Sequence, residues 1–555
     1  MLTRRMFHSR FLAALAASSL PLPKVTQAAA GAEDDLWLNR LTFGATAASR
    51  KEIGSLGREA WFDRQLSLPA RDPALQDRLD RARLRITYAA DADENGDSWP
   101  DVDELRPLAT LTTDPGDLVR LVDWSPGNGM EFSERIRPAT EVIAASLIRA
   151  VHARAQLREV MTQFWHDHFN VNALKDEYTA AFFPSYDAML RDHALGNFRV
   201  LLGEVSQSPA MLYYLNNADS IASPANENYA RELLELHTLG AANYLNDRYD
   251  DWHAVPGATE GLALGYLDLD VYEVARAFTG WSVGDGRWLA EGENAPRTGR
   301  MHYVDRWHDP YQKRILGREL PPHRGPMEDG NEVLDILARH PGTAAFVCEK
   351  LARRFLSDDP PEELVARMAA EFLAQADAPD QIARVVRLLV LSPEFAAPPA
   401  KLRRPFEFLA ALYRAAGAEV TSVENGFQWQ LSRAGWRQHE YGPPTGHPDR
   451  MAAWTGASTL NRYVDLALSG LEDWFDGAKA DLSNPGDPVA TTIAFAAQHA
   501  DALAPGQGAG IAKALAEPFG IDVSSKATDF SVEDRQALAR AAVAFAALTP
   551  EFLMR

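Results

Sequence analysis

The chain has 555 residues, 46% hydrophobic and 24% charged. That make-up excludes wholesale disorder, and at ~100–200 residues per domain it allows three to four domains or one large helical body. The 56 basic and 77 acidic side chains give a formal charge of −21, which sets the surface against nucleic acid and anionic lipid. The single cysteine, Cys348, excludes an internal disulfide, a cysteine-based zinc finger and an iron–sulfur cluster.

Residues 1–30 read as an address. Thr3-Arg4-Arg5-Met6-Phe7 fits the twin-arginine export pattern, with Arg4 and Arg5 as the pair. An apolar stretch from Phe11 to Leu22 comes next, shorter than the ~20 residues that span a bilayer. Ala28-Ala29-Ala30 offers the small residues a signal peptidase accepts, so cleavage near Ala30 and a periplasmic or extracellular destination are expected. No later segment reads as a membrane span.

Helix signals dominate the rest of the chain. Apolar residues at 3–4 spacing predict a helix over 138–169. Others are predicted over 224–239, 268–279, 341–356, 361–376, 379–391 and 533–547, several closed by a following Gly. Residues 281–320 are the least helical and have room for a hairpin; 436–449 and 475–489 read as loop. The fold class expected is mainly α: one large helical body over 31–420 and a smaller C-terminal loop and helical bundle over 421–555.

Three constellations carry candidate chemistry. The first is Phe164-Trp165-His166-Asp167-His168-Phe169, at the end of the first long helix. Residues i and i+2 lie about 200° apart on a helix, so His166 and His168 converge on one ion only if the helix stops there. The second is Asn228 to Gly240, with Arg231, Glu232 and Glu235 on one face and His237 in the last turn. Inward-facing carboxylates need a cation, a shared proton or an arginine. His166, His168, Glu232, Glu235 and His237 together form an oxygen/nitrogen ligand set suited to Zn, Mn or Fe; a buried network centred on Arg231 is the competing reading. The third is Asp91-Ala92-Asp93-Glu94-Asn95-Gly96-Asp97, which matches a calcium loop through its seventh position, with Asp91, Asp93, Asn95 and Asp97 as ligands. Its twelfth position is Val102 instead of Glu. Arg276 pairs with Glu273 at i, i+3, His308 lies in the aromatic region, and His447 falls in the Pro/Gly-rich loop as either a turn residue or a ligand. P-loop, G-x-G-x-x-G, G-x-S-x-G and H-E-x-x-H motifs are missing, so a nucleotide cofactor, a standard α/β-hydrolase and a standard zincin are disfavoured.

The order of these motifs resembles the bacterial exported family catalogued as domain of unknown function 1800. The resemblance begins at Leu36-Trp37-Leu38-Asn39-Arg40-Leu41-Thr42-Phe43-Gly44 and continues through Phe164 to Phe169 and Asn228 to Gly240. It goes on through Asp270 to Trp281, His308-Asp309, Leu351 to Phe355 and Arg403 to Phe408. It implies a helical, exported protein, often beside a second twin-arginine-exported protein in an envelope or polymer pathway; it implies no settled reaction. The leading expectation is a metal-dependent enzyme acting on envelope or extracellular polymer, with carbohydrate the expected class. Glu232, Arg231, Arg276 and His308 are its candidate catalytic and substrate-binding residues. A non-catalytic helical scaffold is the alternative, and a calcium-stabilised binding protein the third.

Overall fold

The computed structural model describes residues 32–398, 401–421, 425–471, 478–484, 491–522 and 524–555. The twin-arginine leader with Arg4 and Arg5, the cleavage point near Ala30 and much of the 475–489 loop lie outside them.

The protein is mainly α, and among the described residues the strands form only two-stranded sheets. In chain order the elements that matter for the site are α1 (Ala32–Leu41), β1 (Arg83–Tyr88), β2 (Asp91–Ala92), β3 (Ser98–Trp99), β4 (Val102–Pro107), α2 (Arg137–His152), α3 (Gln156–His168), α4 (Glu177–Asp192), α5 (Pro209–Tyr214), α6 (Asn228–Glu232) and α7 (Asp268–Ala277). They continue with β5 (Trp281–Asp285), β6 (Arg297–Tyr303), α8 (Pro341–Phe355), α9 (Pro405–Ala415) and α10 (Val532–Ala547). One apolar core runs from Leu38 to Phe552, through both parts of the chain that the sequence separates at residue 420. The chain end is clamped onto that core: Arg403 N donates to Leu553 O, and Arg555 N to Lys401 O at 2.7 Å.

The helix predicted over 138–169 is two helices. The Gln156 amide explains the break: it donates to the carbonyls of Ala150 and Ala153, which α2 leaves without intrahelical partners. Its Oε1 accepts from the Phe43 amide, tying the corner to the segment after α1. The helix predicted over 224–239 begins at Asn228 and widens after Glu232 into one π turn, Leu233–Thr238. There Leu239 N and Gly240 N both donate to Leu234 O. Such turns rotate side chains away from α-helical facing and recur at functional sites. The hairpin anticipated in 281–320 is present as β5 paired antiparallel with β6. Among the described residues no helix is long and apolar enough to cross a membrane.

Candidate functional site

α3 runs regularly through His168, so the two imidazoles leave it in different directions. His166 faces α4 and the 436–450 loop; His168 faces the π turn and α8. The loop is no free connection. Ala173 N donates to His439 O at 2.7 Å. Asn170 Nδ2 donates to Tyr441 O and Pro443 O, Tyr214 Oη to Gly442 O, and Lys401 Nζ to Asp449 O. Gly446 has φ +69°, and a Cβ there would meet Asp167 O at 2.0 Å. Only a glycine lets the loop lie against the end of α3 in this way.

On the first side is a closed chamber. His166, Asp187 and His439 are buried, and one ligand atom from each lies within 4.8 Å of the others. The three could hold a metal by spacing, yet each already has a hydrogen-bond partner in the chain. Asp187 accepts from His166 Nε2 at 3.1 Å, from Arg149 Nη1 at 2.9 Å and twice from Arg191 at 2.9 Å. Arg191 also reaches Glu159. His439 Nε2 meets Ser146 Oγ at 2.8 Å and the Gln438 amide at 3.2 Å. Two guanidiniums balance two carboxylates there, so the charges close without an ion. The free space is about 20 Å³, about that of a single water.

The second side is open and unsatisfied. A cavity of about 310 Å³ is lined by Asp167, His168, Lys350, Arg353, Arg354 and His447, with Phe164 and residues 445–450 completing it. The His447 ring stacks on Trp436 at 3.7 Å and 10°. Its Nδ1 lies 3.4 Å from Asp167 Oδ1, and its Nε2 is buried with no protein partner. Asp167 is in turn held by Arg404 Nη1 at 2.8 Å. Burial alone would raise the Asp167 carboxyl, but Arg404 and His447 outweigh it and hold it below the usual carboxylate range. Burial pushes the His447 imidazole down, against the pull of Asp167. A carboxylate on Nδ1 and a bare Nε2 is the arrangement of a general base.

Cations converge on the same cavity. Burial lowers the Lys350 ammonium to about 8, against Asp167. Arg354 pairs with Glu407, yet its Nε is buried without a partner. His168 donates from Nε2 to His237 O at 3.1 Å, leaving its buried Nδ1 unpartnered. Burial, then Lys350, keep His168 well below the ordinary imidazole value. Around it Arg404 and Arg555 share Glu407 with Arg354, and buried Arg403 donates to Phe552 O and Asn39 Oδ1. In so acidic a protein this is a local excess of buried positive charge.

The expected five-residue metal set is not one centre. Among the described residues the one group of three ligand-type side chains within 4.8 Å is His166, Asp187 and His439. His237 is fully buried beside Phe169, its ring 6.4 Å from that of His168, and burial lowers it to about 3. Glu232 closes α6 and Glu235 lies within the π turn, both outside that group; burial, then Glu235, raise the Glu232 carboxyl. Arg231 pairs with Asp268 and Glu227 near the surface.

Arg276 and His308 belong to a separate network: Arg276 makes a two-pronged pair with Asp309 and bonds Glu273, while His308 lies between Thr279 O and Asp329 Oδ2. The Asp91 to Asp97 segment is the turn joining β2 to β3. Asp93 Oδ1 accepts from the amides of Asn95 and Asp97, Asp97 Oδ2 from those of Gly127 and Gly129, and Asp91 Oδ1 from Ala92 N. These carboxylates serve the backbone, and no group of three ligands forms there among the described residues. Sequence reasoning did not single out Asp167, Lys350, Arg353 or Arg354 as site residues. The available signal was a loop holding Trp436, His439, Tyr441 and His447 between Gly and Pro, unusually rich in chemistry for a connection.

No curated protein and no solved structure matches the chain. One family model does, over residues 36–554 and so nearly the whole chain. The chain therefore belongs to the family described as Protein of unknown function (DUF1800).

Proposed function

We propose that this protein is an exported hydrolase that cleaves an ester on a negatively charged envelope or extracellular substrate, with the cavity between α3, α8 and residues 445–450 as its active site. The observation that carries this reading is the buried, unpartnered Nε2 of His447 beside Asp167, in a cavity ringed by Lys350, Arg353 and Arg354. His447 Nε2 takes a proton from water as the water oxygen bonds to the ester centre. Asp167 steadies the imidazolium that forms. The arginines hold the substrate anion, and the Lys350 ammonium gives its proton to the departing oxygen. The test is turnover of p-nitrophenyl phosphate, sulfate and acetate by the mature protein and by His447→Gln. Turnover of one ester, lost in the variant at unchanged melting temperature, supports the reading; equal rates in both proteins, or none with any ester, reject it.

A second reading keeps metal dependence, with Zn, Mn or Fe at His166, Asp187 and His439, because those ligand atoms fall within 4.8 Å. Elemental analysis decides it. Near-stoichiometric metal, lost in His439→Ala, favours this reading, and metal-free active protein removes it.

A further inference from the structure

A second cleft, of about 790 Å³, opens between the start of α4, the end of α5 and the turn after β5. Its volume lies in the range of ligand sites, ~300–1,000 Å³. Three features set its chemistry. Aromatic rings line it: Trp288, 70% exposed, with Trp307 and Tyr178, and behind them Tyr213, buried and stacked on Phe182. Polar groups stand among them: Asp219, with its carboxylate largely in solvent, and Asn216, Lys175 and Asp176. The wall behind is fixed. Tyr213 Oη donates to Asp285 Oδ2 at 2.5 Å, Arg287 Nη2 bonds the same carboxylate at 2.8 Å and the Tyr213 hydroxyl at 3.0 Å, and Arg287 also pairs with Asp219. The Tyr178 and Tyr213 rings lie 5.1 Å apart.

We infer that this cleft binds a neutral oligosaccharide chain. A pyranose presents a C–H face that packs on an indole or phenol ring, and hydroxyls that exchange hydrogen bonds with carboxylates and amides. The cleft offers both, side by side. Its charged lining holds three acids, Asp176, Asp219 and Asp285, against Lys175 and Arg287, which disfavours an anionic chain and leaves the uncharged one. A buried apolar ligand would need an enclosed apolar pocket, and this one is open and rimmed with polar groups. The site is independent of the Asp167–His447 pair and stands or falls separately from it.

The test is calorimetric titration of the mature protein with cellopentaose, xylopentaose, maltopentaose and chitopentaose, with tryptophan emission as a second readout. The expected result is saturable binding of at least one sugar. Trp288→Ala and Asp219→Ala each weaken it about tenfold or more, near 1.4 kcal/mol, while His447→Gln leaves it unchanged. Trp288 is exposed, so its variant keeps the fold, which far-ultraviolet dichroism checks. No binding of any of the four at millimolar sugar overturns the inference. So does binding that Trp288→Ala leaves intact, or binding lost in His447→Gln.

Discussion

The end of α3 serves two regions built from the same residue types with opposite outcomes. In the chamber, His166, Asp187 and His439 sit among Arg149, Arg191 and Glu159, and the polar atoms find partners at 2.8–3.2 Å. Across the helix, Asp167 and His168 meet His447, Lys350 and Arg354, and three buried nitrogens lack partners: His447 Nε2, His168 Nδ1 and Arg354 Nε. The first is what a folded protein does with buried charge when only stability is at stake. The second leaves buried nitrogens without protein partners in residues that line a cavity, which is the ground for proposing chemistry there.

The comparison breaks most sharply on turnover. With an ester substrate in hand, His447→Gln is expected to lower kcat by roughly 10²–10⁴-fold, the range for a positioned general base, with little change in melting temperature. Asp187→Ala is expected to do the reverse. It strips two buried guanidiniums of their shared carboxylate and costs about 3–5 kcal/mol by denaturant titration, while protein that still folds keeps its affinity for anions. If Asp187→Ala is stable and inactive, the roles of the two regions are exchanged.

Gly446→Ala lies between these effects. The added methyl collides with the Asp167 carbonyl and also strains a left-handed backbone, so the loop must lift away from α3. A loss of about 1–3 kcal/mol is expected, together with a fall in anion affinity. The pH effects are smallest. Anion binding is expected to weaken as pH rises through about 8, where Lys350 loses its charge, so that at high pH the wild type comes to match Lys350→Met, which does not bind. The acid limb of turnover reflects the His447 base and falls below the ordinary imidazole value of ~6.5. The sign for stability is opposite to that for binding. The Lys350 ammonium is disfavoured in the folded state, so between about 8 and the unfolded value of ~10.4 the unfolded chain binds more protons and stability rises with pH. The Asp167 carboxyl, held low, contributes stability above ~3.9 that is lost as pH falls through its folded value.

Much of the helical frame was legible. Apolar spacing and end signals placed α7, α8 and α10 to within about two residues, and the loop over 436–449 is a loop. The break at Ala153 was not legible, because it depends on the Gln156 amide folding back on α2, a tertiary choice. Nor was the π turn after Glu232, which removes the α-helical facing that set Glu232 and Glu235 on one side. The candidate site was half legible. His166 and His168 stood out as histidines, but Asp167 between them was not singled out as a site residue, and Arg353 and Arg354 entered only as part of the Leu351 to Phe355 segment. Their convergence on His447, about a hundred residues on in the chain, comes from packing that a linear pattern does not encode.

The cavity beside α3 is proposed to take an anion on Lys350 and its arginines. Calorimetric titration with inorganic phosphate and with sulfate at neutral pH tests this directly, for wild type, Lys350→Met and Asp187→Asn. Saturable binding that is lost in Lys350→Met and kept in Asp187→Asn is the predicted result. No binding of either anion, or binding that survives Lys350→Met and disappears with Asp187→Asn, would contradict it.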